Sequence, residues 1–154
     1  MNRAMTIALS AIAAAGLLAF GVGTARSGGT GVERHGNSPF SLATMKGTHG
    51  FVYSGTLTGG GPIASAGPIV FDGRGRLSAA YNVTIDGTLF QGSFTGTYTV
   101  NANGTGTVTL DLPRLGIQSH GSFVIVNDGD ETFFTSTDPG QTITGVTKKM
   151  RPGT

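Results

Sequence analysis

The stretch FQGSFTGTYTV at residues 90–100, followed after four residues by TGTVTLDL at residues 105–112, decides the fold. In both stretches every second residue is apolar or glycine, and most of the residues between them carry hydroxyl, amide or carboxylate groups. Successive side chains of a strand point to opposite faces, so this period of two predicts strands with one apolar and one polar face. The intervening residues Asn101-Ala102-Asn103-Gly104 favour a tight turn. The sequence therefore predicts an antiparallel hairpin.

Strand-like runs separated by turn residues continue along the rest of the chain. Asp, Asn and Gly mark turns at 72–75, 86–87 and 127–130, whereas the sequence GGGP at 59–62 predicts a longer loop. No apolar run of helical period and useful length follows residue 25, although residues 39–46 fit a single helical turn. The predicted strands are at residues 49–57, 67–71, 76–85, 88–100, 105–112, 121–126, 131–137 and 142–148.

The composition favours an all-β protein whose sheet closes on itself. The chain has 154 residues, with 27 glycines, no Cys and no Trp, and only 12% of its residues are charged. Glycines within strands, such as Gly92 and Gly96, permit the coiling that closure requires, and closure removes exposed sheet edges. We predict a small antiparallel up-and-down β-barrel of about eight strands, with a β-sandwich as the alternative. The apolar runs at 123–126 and 133–134 predict strands covered on both faces.

Residues 1–25 have the pattern of a cleaved signal peptide. Arg3 is followed by an apolar stretch over residues 4–20, and Gly23 and Ala25 are the small residues that precede cleavage. A retained membrane anchor is the alternative, because this stretch approaches the roughly 20 residues that span a bilayer. We expect an exported protein, periplasmic or secreted, with no stable membrane insertion after cleavage. The predicted segments are a signal peptide at 1–25, a flexible linker at 26–39, a barrel domain at 40–149 and a tail at 150–154.

The charge pattern argues against two classes of partner. The net charge is +2, and Lys148, Lys149 and Arg151 at the end of the chain form the one basic cluster, which is too small for nucleic acid. An outer-membrane barrel would carry girdles of aromatic residues, but aromatic residues make up only 8% of this chain. We therefore expect neither a nucleic-acid partner nor a barrel inserted in the outer membrane.

Catalytic and metal-binding motifs are weak in this sequence. No Gly-x-Ser-x-Gly motif is present, and His49 and His120 near strand starts are expected to be partly exposed polar residues. The acidic residues Asp128, Asp130 and Glu131 form only a fragment of a calcium loop. We expect no metal and no cofactor.

Three segments resemble those of exported bacterial small β-barrel proteins. They are residues 46–51 (KGTHGF), 71–77 (FDGRGRL) and 96–107 (GTYTVNANGTGT), and the resemblance covers most of residues 40–149. Those proteins are similar in fold to allene oxide cyclase and dirigent barrels, and more loosely to lipocalins, which implies a calycin-like barrel. The cyclases use Glu and Asn side chains in the barrel mouth, and no position of this sequence matches them.

These observations favour a non-enzymatic exported barrel with a small apolar ligand as its partner. The alternatives are a cyclase or isomerase of the allene oxide cyclase or dirigent type, and a structural or adhesive module of the envelope. No catalytic residue is assigned. The residues predicted to line the barrel interior and contact the ligand are Tyr81, Phe94, Tyr98, Val108, Leu110 and Phe123.

Overall fold

A computed structural model describes residues 39–114 and 116–151, and eight strands in this part of the chain form a closed antiparallel barrel. Each strand pairs with the next along the chain, and β8 closes the barrel by pairing with β1 from His49 opposite Lys149 to Leu57 opposite Gln141. The predicted up-and-down barrel is confirmed. The strands are β1 (Gly47–Leu57), β2 (Gly61–Phe71), β3 (Arg76–Ile85), β4 (Thr88–Tyr98), β5 (Thr105–Leu112), β6 (Ile117–Val126), β7 (Glu131–Ser136) and β8 (Gln141–Lys149).

The predicted signal peptide, nearly all of the predicted linker and the end of the tail lie outside the described residues. Among the described residues, no helix has the length and apolar character needed to span a bilayer.

The strand boundaries differ from the prediction mainly in β2 and β6. The sequence GGGP predicted a loop, but Gly61 and Pro62 belong to β2, where they lie opposite Leu57 and Thr56. Proline cannot donate a backbone hydrogen bond, yet the carbonyl of Pro62 still accepts one from the N–H of Asp86 at 2.9 Å. β6 starts at Ile117, four residues earlier than predicted, because residues 117–120 pair with the end of β5.

One end of the barrel, the closed end, is covered by the 3₁₀ turn Leu42–Met45. The side chain of Met45 is fully buried under it. The hydroxyl of Tyr98 donates to the carbonyl of Leu42 and accepts from the N–H of Gly73, both at 3.1 Å. These two bonds join the covering turn to the strands.

His49 lies at the closed end and is fully buried, so the prediction of a partly exposed histidine was wrong. Its ring meets Phe71 edge-on at a centroid distance of 5.2 Å, and its Nε2 lies 3.2 Å from the carbonyl oxygen of Gly129. The cover over the closed end removes the solvent that a histidine near a strand start would otherwise contact. His49 thus ties the β6–β7 turn to the interior.

Aromatic rings on the inner face lie over glycines of the neighbouring strand. Phe123 is opposite Gly106, and Tyr53 is opposite Gly145. A Cβ added to Gly145 would lie 1.9 Å from Cδ1 of Tyr53, and one added to Gly106 would lie 2.3 Å from Cζ of Phe123. The glycines therefore provide the space that the rings occupy, which lets large side chains fit inside a narrow barrel.

The outer face of β6 and β7 is uncovered, contrary to the expectation from the apolar runs. Val124 is 39% exposed and Phe133 is 49% exposed, and the two residues lie opposite each other. Val146 on β8 and Val52 on β1 continue this apolar row around the barrel. The barrel has one layer of sheet, so residues of outward parity meet solvent whatever their hydrophobicity.

Substitution of Gly145 by Ala should lower the free energy of unfolding by roughly 1–3 kcal/mol, because the methyl group would overlap the Tyr53 ring and the Val52 carbonyl. Gly50→Ala on β1 is the matched control, since a Cβ there has only Met150 Cγ nearby at 4.0 Å. Urea denaturation of both variants measures the effect. Equal stability of Gly145→Ala and Gly50→Ala would contradict the role assigned to the glycine.

Candidate functional site in the open half of the barrel

A row of five aromatic rings crosses the barrel interior and forms a floor. Phe134 packs on Tyr53 at a centroid distance of 4.9 Å, and Tyr53 stacks on Phe51 at 4.8 Å. Phe51 contacts Phe94 at 6.1 Å, and Phe94 contacts Tyr81 at 5.9 Å. These distances are typical of favourable aromatic pairs. The row separates the packed closed end from the other half of the barrel, here called the open half.

The open half contains a cavity of about 180 Å³ that begins at this floor. Its walls are mainly aliphatic, because the inward positions near this end of the strands carry Ile, Leu and Val rather than aromatic residues. An apolar cavity of this kind suits a small apolar molecule. Besides the five rings, it is lined by Leu57, Ile63, Ser65, Val83, Ile85, Leu110, Leu112, Ile117, Ser119, Ser136, Gln141 and Ile143.

Two phenol groups bring polarity to this cavity. The hydroxyls of Tyr53 and Tyr81 form no hydrogen bond with another described residue, so both can donate to a bound molecule. Burial raises the pKa of Tyr53, which keeps its phenol protonated. No Asp, Glu or His is among the described residues that line the cavity. The described residues also include no cluster of three such side chains that could hold a metal.

The predicted interior residues are divided between two regions. Tyr81, Phe94 and Leu110 line the cavity of the open half. Val108 and Phe123 line a second, smaller cavity of about 20 Å³ on the closed side of the floor, where Leu110 also contributes. Tyr98 lines neither cavity, because its ring packs on Phe71 at the closed end and its hydroxyl holds the covering turn.

The small cavity has room for about one water molecule. Thr132 and Thr147 lie in its wall, and their hydroxyls are 2.8 Å apart. Both side chains are buried, so their mutual hydrogen bond provides the partner that a buried hydroxyl needs.

Asp138 organises the turn between β7 and β8 at the mouth of the open half. Its Oδ2 accepts from the backbone N–H of His120 at 2.6 Å and from Nε2 of Gln141 at 3.0 Å, and its Oδ1 is 2.8 Å from Nδ1 of His120. Ser119 also donates to this carboxylate. A Ser-His-Asp triad requires the His between Ser and Asp, whereas here Asp138 contacts both other residues. The arrangement fixes the turn and does not activate Ser119.

A gap between β4 and β5 opens the side of the mouth. The two strands pair only from Tyr98 opposite Val108 to Thr95 opposite Asp111, and the same register would next place Pro113 opposite Ser93. Proline has no N–H to donate, so the ladder ends there. Beyond this point the β4 edge has no strand partner among the described residues on the β5 side.

Arg114 spans this gap. Its Nη1 donates to the carbonyl of Gln91. A Cβ on Gly92 would lie 2.7 Å from the hydroxyl of Tyr81 and 3.3 Å from Cδ of Arg114, so both side chains converge on the inner side of β4. The absence of a side chain at position 92 makes this arrangement possible.

Sequence reasoning missed most of the cavity wall, including Tyr53, Ile63, Ser65 and Val83. These residues have inward parity within their strands, and the alternation in the sequence could have identified them. It could not show which inward residues share one level of the barrel, because the stagger between strands sets that level. The role of Arg114 has no sequence signal, since it depends on the gap.

Comparisons with known proteins give the fold and nothing finer. No protein-family model matches the chain, and no curated protein matches it. Three solved structures are similar over most of the barrel. A redesigned β-barrel shares 22% identity (TM-score 0.52) over 72% of this chain and 96% of its own, and a de novo designed fluorescence-activating β-barrel shares 12% (0.54) over 72% and 99%. A redesigned β-barrel bound to DFHBI shares 21% (0.52) over 71% and 98%.

These matches show a small eight-stranded antiparallel barrel. They give no support to the expected resemblance to allene oxide cyclase and dirigent barrels.

Replacement of Asp138 by Asn should destabilise the barrel at pH 7 and have little effect at pH 3. Burial alone would raise the pKa of Asp138, but hydrogen bonds from the backbone and ring of His120 and from Ser119 outweigh it and hold the pKa below its ordinary value. A carboxylate with a lowered folded pKa stabilises the fold above its unfolded pKa of about 3.9, and the contribution disappears as pH falls through the folded pKa.

Urea denaturation of wild type and Asp138→Asn at the two pH values provides the measurement. The control is Asp86→Asn in the β3–β4 turn, which should change stability little at either pH. A stability difference for Asp138→Asn that is the same at pH 7 and pH 3 would show that the ionised carboxylate is not what stabilises this turn.

Proposed function

We propose that this chain is an exported, non-enzymatic carrier that holds a small apolar ligand in the open half of its barrel. The observation that carries the proposal is the 180 Å³ cavity, with its aromatic floor and aliphatic walls. Apolar surface of this kind gains free energy when it contacts an apolar ligand instead of water. Export rests on the signal-peptide pattern of residues 1–25.

The fold comparison supports the idea that a barrel of this kind can take a ligand. A redesigned barrel of the same fold is bound to DFHBI. An eight-stranded barrel has an interior just large enough either to be filled by side chains or to hold one small molecule. In this chain the closed end follows the first pattern and the open half follows the second.

The two alternative functions have less support. A cyclase or isomerase of the allene oxide cyclase or dirigent type would be expected to place an acid or base at the reacting atoms, and no Asp, Glu or His lines the described cavity. A purely structural module would be expected to have a filled interior. The cavity separates the carrier from both.

Filling the cavity tests the carrier directly. Ser65 is an inward residue of β2 in the cavity wall, and Ser65→Phe should place a ring in the space that a ligand would occupy. The control Ser78→Phe makes the same change on the outer face of β3, where the side chain is exposed. The probe is N-phenyl-1-naphthylamine, an uncharged dye that fluoresces in apolar surroundings.

Wild type and Ser78→Phe should bind the dye with similar affinity, and Ser65→Phe should bind it at least roughly tenfold more weakly, because one lost aromatic contact surface corresponds to more than 1.4 kcal/mol. Fluorescence titration gives the affinities, and urea denaturation checks that each variant folds. Wild type that fails to bind, or Ser65→Phe that binds as well as wild type, would contradict the proposal.

A further inference from the structure

We infer that the ligand is amphipathic, with an anionic head group held by Arg114 at the mouth and an apolar tail in the cavity. This inference rests on the carrier function proposed above and adds the chemical class of the ligand. It is carried by the position of Arg114 beside the hydroxyl of Tyr81, on the inner side of β4.

The guanidinium of Arg114 has no carboxylate partner in the described part of the chain. The ion pairs there are His120 with Asp138, Lys148 with Glu131 and Arg151 with Asp130. Arg114 uses one N–H for the carbonyl of Gln91, and an arginine has five N–H donors, so donors remain for another acceptor. Their planar arrangement matches the two oxygens of a carboxylate or the oxygens of a phosphate.

Tyr81 connects this cation to the cavity. Its ring lines the cavity and packs on Phe94, whereas its hydroxyl lies next to the Arg114 side chain over Gly92. A head group between the phenol and the guanidinium would accept hydrogen bonds from both. Its tail would then extend from the gap between β4 and β5 toward the aromatic floor.

The carboxylates near the mouth do not compete for this position. Asp138 is engaged by His120 and Gln141 in the β7–β8 turn. Asp111 has outward parity on β5 and accepts a hydrogen bond from Nε2 of Gln118 at 2.7 Å. Asp86 lies in the β3–β4 turn, with its side chain beside Gly61 of β2. Arg114 is therefore the charged group placed nearest to Tyr81.

Three probes with the same ten-carbon tail isolate the head group, namely decanoate, decanol and decylammonium, each titrated calorimetrically at pH 7.5. Wild type should bind decanoate roughly tenfold more tightly than decanol, the lower end expected for a charge-assisted hydrogen bond near a surface. Decylammonium should bind most weakly. Arg114→Gln should remove the preference for decanoate and leave decanol affinity unchanged, whereas Arg114→Lys should retain part of the preference.

The control is Arg74→Gln, which removes the same charge from an exposed turn at the closed end and should keep the full preference for decanoate. Urea denaturation confirms that each variant folds. Decanol bound as tightly as decanoate, decylammonium bound best, or equal weakening of decanoate and decanol by Arg114→Gln would overturn the anionic head group and leave the carrier intact. Failure of all three probes to bind wild type would overturn the carrier as well.

Discussion

The narrow interior of an eight-stranded barrel is the constraint on which the rest of this structure depends. Such an interior holds little more than the side chains that point into it, so the size of each inward residue decides whether a given level is filled. At the closed end and the floor, aromatic rings fit because the neighbouring strand carries glycine opposite them, as with Tyr53 over Gly145. Toward the mouth, Ser65, Val83 and Ile143 leave the space that forms the cavity.

This division gives the two ends different physical properties. The closed end has a covering turn, the buried His49 bound to the Gly129 carbonyl, and the hydrogen bonds of Tyr98. Many buried contacts and satisfied polar groups make a region resistant to local opening. The mouth has a strand gap at Pro113, and the side chain of Arg114 replaces the backbone bond that proline cannot make. Access to the cavity is thus provided where the ladder is weakest, and the packed end maintains the fold.

The fold could be predicted from the sequence because period-two alternation and turn residues act locally. Residues 76–85 and 105–112 are strands with the predicted bounds, since Asp, Asn and Gly turns flank them. Gly61 and Pro62 were assigned to a loop by local preference, but pairing with β1 overrides that preference. The burial of His49 depends on a covering turn, whose path across the barrel end is a tertiary feature.

The candidate site was predictable only in part. Inward parity was enough to select Tyr81, Phe94 and Leu110 for the cavity. Parity alone also selected Tyr98, which lies at the closed end, because alternation does not encode height along the barrel axis. Arg114 enters the mouth through a gap that a proline in the neighbouring register position creates, and no single-strand pattern contains that information.

The central claim is that one half of the barrel is packed and the other half is open to apolar molecules. A crystal structure of the protein pressurised with xenon tests it most directly, because xenon occupies accessible apolar cavities. The account predicts xenon density above the aromatic floor, among Val83, Phe94 and Leu112, and none between Met45 and Ile69 at the closed end. An open half closed by side chains, with no xenon density there, would contradict it.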